Sequence, residues 1–138
     1  MRFFRSIFYL FILFLPACTK ESGPGVPEVV VDIRVTIQEF GIKNKNSVYL
    51  IDNRGVAGII LYKTLDNRFV AYDRCSTVNP EKRCAVTVDE SGIIATDSCS
   101  GAKYSMFDGT PQKAPAKKSL KQYNVTADQF VIYIRNGF

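Results

Sequence analysis

The chain is 138 residues long, with 46% hydrophobic, 12% aromatic and 22% charged residues, four cysteines and no histidine. That balance describes one globular domain and not a disordered polymer. The absence of histidine excludes Ser-His-Asp and Cys-His nucleophile systems and every His-ligated zinc or iron centre, which leaves carboxylates, Lys, Tyr and Cys for any chemistry. Eighteen basic against 13 acidic side chains give a formal charge of +5.

Arg2 and Arg5 precede an unbroken apolar run from Ile7 to Leu15, closed by Pro16-Ala17-Cys18. The run is shorter than the roughly 20 residues of a bilayer span and reads as an export leader. Leu15-Pro16-Ala17-Cys18 resembles the lipobox of bacterial lipoproteins: an aliphatic residue three places before the Cys, a small one just before it, and the Cys that is lipidated. Pro16 departs from that pattern. On this resemblance residues 1–17 are a signal peptide, and Cys18 is the acylated N-terminus of a 121-residue mature chain (138 less 17). The mature chain is anchored to a membrane and does not span it. It keeps 16 basic and 13 acidic side chains, a net of +3. Residues 18–28, with Gly23, Pro24, Gly25 and Pro27, cannot build a core and read as a flexible tether. Lys20-Glu21 resembles the surface-export signal of Bacteroidetes lipoproteins, which carries more acidic residues. The expected location is the bacterial cell envelope, on the periplasmic or surface face of an outer membrane.

The remainder, residues 29–138, reads as short strands in succession. Val29–Ile37 alternates in its second half and is rich in β-branched residues. Ser47–Leu50 follows, then turn chemistry at Asp52-Asn53-Arg54-Gly55. Gly58–Tyr62 reads as a buried strand, Leu65–Arg68 as a turn and Phe69–Asp73 as the next strand. Ala85–Val88 and Ile93–Thr96 flank Asp89-Glu90-Ser91-Gly92, a hairpin signal. Lys103–Phe107 precedes a turn at Asp108-Gly109, and Leu120–Val125 and Gln129–Ile134 close the chain. No stretch sustains a 3.6-residue period over three turns. The pattern predicts an all-β domain, a small antiparallel barrel or sandwich.

Gly58-Ile59-Ile60-Leu61, Phe69-Val70-Ala71-Tyr72-Asp73-Arg74-Cys75, Cys99-Ser100-Gly101-Ala102-Lys103-Tyr104, Asp108-Gly109, Ala114-Pro115-Ala116, Leu120 and Tyr123 occur in an order that resembles a Rieske iron–sulfur domain. The likeness is closest to the Rieske-like lipoproteins of Bacteroidetes and covers roughly residues 55–135. It implies a Rieske-like β fold. In that family two Cys and two His hold a [2Fe–2S] cluster. The matching positions here are Cys75, Thr77, Asp97 and Ser100, so one ligand of the four survives. Gly101, Tyr104, Gly109, Pro115 and Ala116 keep the scaffold pattern, and Ala114 replaces a Gly. Hydroxyls stay protonated at neutral pH and are poor donors to iron. The expectation is a domain without cluster, cofactor, metal or catalytic residue.

Besides Cys18 there are Cys75, Cys84 and Cys99, and an oxidising compartment favours pairing. If Ser91-Gly92 were a two-residue loop, opposite residues would sum to 183, and Cys84 would face Cys99. The resemblance also makes Cys99 a disulfide cysteine, with Cys84 able to serve as its partner. Cys75–Cys99 is the competing pair. The first pairing leaves Cys75 free, either a buried inert thiol or a reactive one near Arg74 and Lys82.

Lys103, Lys113, Lys117, Lys118 and Lys121 cluster with only Asp108 opposing them between Ser98 and Ala127. They form either a solubilising face or a patch for an anionic partner, an envelope protein or an anionic lipid. Nucleic acid is not expected. Asp52, Asp66, Asp73, Asp89 and Glu90 read as turn chemistry, and Asp73-Arg74 as a structural pair. Three functions follow: a membrane-anchored interaction or structural module, electron transfer through an unusual [2Fe–2S] ligand set, or thiol–disulfide chemistry at Cys75.

Overall fold

The computed structural model describes residues 25–136. The leader, the lipobox with Cys18 and the first part of the tether lie outside the described residues. Among the described residues no helix is long and apolar enough to cross a membrane.

Among the described residues ten strands form two antiparallel sheets, accompanied by one short α-helix and a 3-10 turn at Pro80–Lys82. The larger contains β1 (Asp32–Thr36), β2 (Val48–Ile51), β3 (Ile59–Lys63), β4 (Phe69–Asp73), β9 (Gln122–Ala127) and β10 (Val131–Arg135), in the order β1-β10-β9-β4-β3-β2. The smaller contains β5 (Thr87–Val88), β6 (Ile94–Thr96), β7 (Lys103–Ser105) and β8 (Pro111–Lys113), in chain order. The helix α1 spans Ile37–Lys43.

The apolar run at β3 has a direct cause. Ile59 and Leu61 point into one core, with Val35, Phe40, Ala71, Ile132 and Ile134, while Ile60 and Tyr62 point into the other, with Tyr72, Val86, Tyr104 and Met106. A strand covered on both faces cannot alternate with polar residues. The second core fills the space between the two sheets. The first lies on the far side of the large sheet, which curls over it as a half-barrel. The two halves of that sheet meet at a short seam, where β4 and β9 pair only through Ala71↔Tyr123 and Tyr72↔Gln122.

The expected strand Val29–Ile37 is shorter than predicted. It starts at Asp32 and stops at Thr36, whose hydroxyl accepts a hydrogen bond from the Glu39 N–H at 2.9 Å and caps α1. Thr36-Ile37-Gln38-Glu39 has the capping-box pattern. Two turns of helix are too short for a 3.6 period to show. Phe40 anchors the helix, meeting Phe69 edge to face with ring centroids 5.1 Å apart. Strand β8 was not anticipated either: Pro111 opens an edge strand, where its missing N–H costs nothing. The last two strands begin two residues later than predicted, at Gln122 and Val131.

The β5–β6 hairpin has the expected register, with Thr87↔Thr96 and Val88↔Ala95 both summing to 183. Its loop is wider than two residues. The Asp89 N–H donates to the Ile94 carbonyl, and the Gly92 N–H to that of Asp89. Widening a loop symmetrically by one residue on each side preserves register.

Candidate functional site

Three loops converge at one end of the small sheet. The first runs from Arg74 to Val86, between β4 and β5; the second from Asp97 to Ala102, between β6 and β7; the third from Ala114 to Lys121, between β8 and β9. The first folds back on itself: the Ser76 N–H donates to the Cys84 carbonyl at 2.8 Å and the Val86 N–H to the Arg74 carbonyl at 2.7 Å. The second closes through the Gly101 N–H onto the Asp97 carbonyl at 2.7 Å.

Two fastenings hold the loops together. Cys84 and Cys99 form a disulfide between the first and second, with Cα atoms 6.3 Å apart. Of the two pairings left open by the sequence this is the one present, and Cys75 is free and buried. The Thr77 hydroxyl donates to the Lys118 carbonyl at 2.8 Å and ties the first loop to the third.

A closed network of side chains fills the space beneath. Asp97, fully buried, accepts from the Ser76 hydroxyl at 2.7 Å and the Ser100 hydroxyl at 2.6 Å on one oxygen, and from the Cys99 N–H at 2.9 Å on the other. The Tyr104 hydroxyl lies 3.2 Å from that of Ser76 and 3.0 Å from that of Thr77. Burial opposes ionisation of Asp97. The hydrogen bonds from Ser100, Ser76 and the Cys99 and Ser100 N–H groups outweigh it, and its carboxyl sits below the ordinary value.

The four positions matched to cluster ligands are thus all engaged by the protein's own groups. Asp97 and Ser100 bind each other, and Thr77 binds Tyr104 and the Lys118 carbonyl. Cys75 directs its sulfur at the carbonyls of Pro80 and Ser76, 3.5 and 3.6 Å away. Burial, reinforced by the nearby Asp73, pushes its thiol up to about 11. A cluster requires four donors, among them deprotonated sulfur, so this set does not fit one. The sulfurs of Cys84 and Cys99 lie within 4.8 Å of an Asp97 oxygen, but the disulfide removes the thiolates that a metal would need.

Asp73 has a role that the sequence reading missed. It is not paired with Arg74 and is not a turn residue. It is fully buried and accepts from the N–H groups of Val56, Ala57 and Cys75 at 2.6, 3.2 and 2.8 Å and from the Tyr123 hydroxyl at 2.7 Å. Burial and the Asp73 carboxylate both raise the Tyr123 pKa, so the phenol keeps its proton and donates. Arg74 turns outward to Asp52 at 3.3 Å and to the Val86 carbonyl. The available signal was an acid directly after four apolar or aromatic strand residues, a place where turn chemistry is rare.

The five lysines do not form one uniform patch. Lys103 and Lys113 are cross-strand neighbours on β7 and β8, and Lys113, Lys117 and Lys118 are exposed. Lys121 is withdrawn: its side chain is 14% exposed, ion-paired to Glu28 at 2.7 Å and hydrogen-bonded to the Pro27 carbonyl at 2.9 Å. Glu28 belongs to the segment read as a flexible tether, so the last tether residues are seated on the domain.

This fold recurs among solved structures. The cyanobacterial plasma membrane Rieske protein PetC3 from Synechocystis PCC 6803 has a TM-score of 0.58 at 18% identity, with 78% of this chain and 99% of that chain covered. The ferredoxin of carbazole 1,9a-dioxygenase from Nocardioides aromaticivorans IC177 has a TM-score of 0.53 at 13% identity, covering 80% and 100%. A chain of the complex of reduced oxygenase and oxidized ferredoxin in carbazole 1,9a-dioxygenase has a TM-score of 0.53 at 16% identity, covering 76% and 93%. No protein-family model matches the chain, and no curated protein matches it. At these identities the likeness establishes the fold alone: the chain has a Rieske-like antiparallel β fold. Function is decided by the site and not by the scaffold.

Proposed function

We propose that this chain is a lipid-anchored, non-catalytic module of a bacterial cell envelope, in which a Rieske-type scaffold carries a closed tip used for interaction or structural support. One observation carries the reading. Asp97 accepts hydrogen bonds from Ser76 and Ser100, so the space for a cluster is occupied by the protein's own satisfied polar groups. The disulfide beside it stabilises that arrangement in an oxidising compartment. The leader pattern and Cys18 support the anchor and the envelope location. The plasma-membrane location of the Synechocystis Rieske protein is in keeping with them. Loops held on a rigid sheet are natural contact surfaces.

The purified protein, incubated with ferrous iron and sulfide under reducing conditions, is expected to remain colourless, iron-free and without an EPR signal. A reddish product with stoichiometric iron would overturn the reading. Intact mass spectrometry of protein extracted from membranes tests the anchor, which requires acyl chains on Cys18.

A further inference from the structure

The chain enters the domain at the tip. Gly25, Val26 and Glu28 border a shallow pocket whose other walls are Thr77, Lys118 and Ser119 of the first and third loops. Lys121 holds this segment through both the Pro27 carbonyl and the Glu28 carboxylate. Topology requires the same placement: β1 starts opposite Arg135, at the end of the sheet where β9 starts and β4 ends.

We propose that the tip faces the membrane holding Cys18 and docks there on anionic lipid headgroups through Lys82, Arg83, Lys113, Lys117 and Lys118. This rests on the lipid-anchor reading. Cys18 and Gly25 are seven positions apart, and seven residues reach at most about 25 Å. The tip is therefore confined near the bilayer. The opposite end carries the exposed Leu65 and Phe130, 92% and 74% accessible. It lies a further strand length away, about 20 Å for the six residues of β9. Reaching the bilayer from there would need the connection to run back along the whole sheet with almost no slack.

Charge points the same way. Lys82 and Arg83 on the first loop, Lys117 and Lys118 on the third, and Lys113 at the edge of the third are exposed. Of the acids at this end, Asp73 and Asp97 are buried, Glu28 is exposed but paired with Lys121, and Asp52 is exposed but paired with Arg74, so exposed basic side chains still outnumber the exposed acids Glu28, Asp52 and Glu81. A basic surface held within a Debye length of an anionic leaflet is attracted to it.

Hydrogen exchange of the acylated full chain on vesicles tests this, comparing phosphatidylcholine alone with an equimolar mixture of phosphatidylcholine and phosphatidylglycerol. The expected result is several-fold slower exchange over 77–84 and 113–121 on the anionic vesicles, with 64–68 and 127–130 unchanged. The slowing should vanish in about 1 M salt, where the Debye length falls to about 3 Å, and weaken in a Lys113→Gln/Lys117→Gln/Lys118→Gln chain. The salt arm needs no variant. Protection at 64–68 and 127–130, or equal exchange on both vesicles, would overturn the orientation. An unacylated mass would instead overturn the anchor reading beneath it.

Discussion

Ser100 donates its hydroxyl hydrogen to Asp97 Oδ2 at 2.6 Å, so two positions matched to cluster ligands satisfy each other. Hydrogen bonds to a buried charge contribute about 1.5–3 kcal/mol. Asp97→Asn removes that charge and turns an amide donor toward hydroxyls that already donate. The variant should lose about 2 kcal/mol at neutral pH, read from urea denaturation. The folded Asp97 pKa is lowered, so its contribution is present above the ordinary carboxylate value of about 3.9 and is lost as pH falls through the folded value. The gap between the two chains should therefore narrow in acid. A gap that stays constant to pH 2 would show that the charge is not the source.

The Cys84–Cys99 bridge closes a loop with a sequence separation of 15. Restricting the unfolded chain by a loop of that size is worth about 3 kcal/mol. Cys84→Ser/Cys99→Ser should lower stability by that order, and a dithiol reductant should lower the wild type to the same level. Unequal losses would mean that the serines, and not the missing bond, set the cost.

Cys75 is fully buried and its thiol is pushed up from 9.0 to about 11. In a Cys18→Ser chain it is the sole unpaired thiol. It should resist a thiol reagent at pH 8 in the native protein and react stoichiometrically in denaturant. Because the folded pKa is raised, the stability tied to this group is present below the unfolded value and falls as pH rises from about 9 to about 11. Cys75→Ala should show a shallower decline between pH about 9 and about 11, with Tyr72 and Tyr123, whose pKa values are also raised, still lowering stability at higher pH. Rapid native modification would return the thiol–disulfide reading to contention.

Gly109 adopts φ +75°, and a Cβ there would lie 2.8 Å from the Tyr72 ring. Tyr72 is fully buried between the sheets and cannot withdraw. Gly109→Ala should cost more than the roughly 1 kcal/mol of a left-handed alanine alone, measured as a drop in Tm. Gly101 has a similar φ of +77° but nothing within 4 Å of its Cβ position, so Gly101→Ala should cost only the backbone penalty. Equal losses would remove the Tyr72 contact from the explanation.

Legibility from sequence followed the range of the interactions. The hairpin register emerged from Asp89–Gly92 because a symmetric loop fixes which residues face, whatever its width. The double-sided burial of β3 was visible in Gly58–Tyr62, since covering both faces removes every polar position. Helix α1 was missed because its evidence is one capping box and two turns. Strand β8 was missed because Pro111-Gln112-Lys113 has no strand propensity and is held by its neighbour β7.

The sequence alone determined the all-β class, which depends on local pattern, and excluded histidine ligands, which depends on residue identity; the ligand positions themselves came from the resemblance to the Rieske pattern. Tertiary structure decided what replaced the ligands. No local pattern connects Asp97 to Ser76, 21 residues earlier, or Asp73 to Tyr123, 50 later; only packed loops bring them within hydrogen-bonding distance. Lys121 shows the same division. In sequence it is one more lysine in a basic run, and in the fold it is committed to Pro27 and Glu28. The absence of histidine excluded whole classes of chemistry at once, but a buried network closing over the same positions is a property of three-dimensional packing.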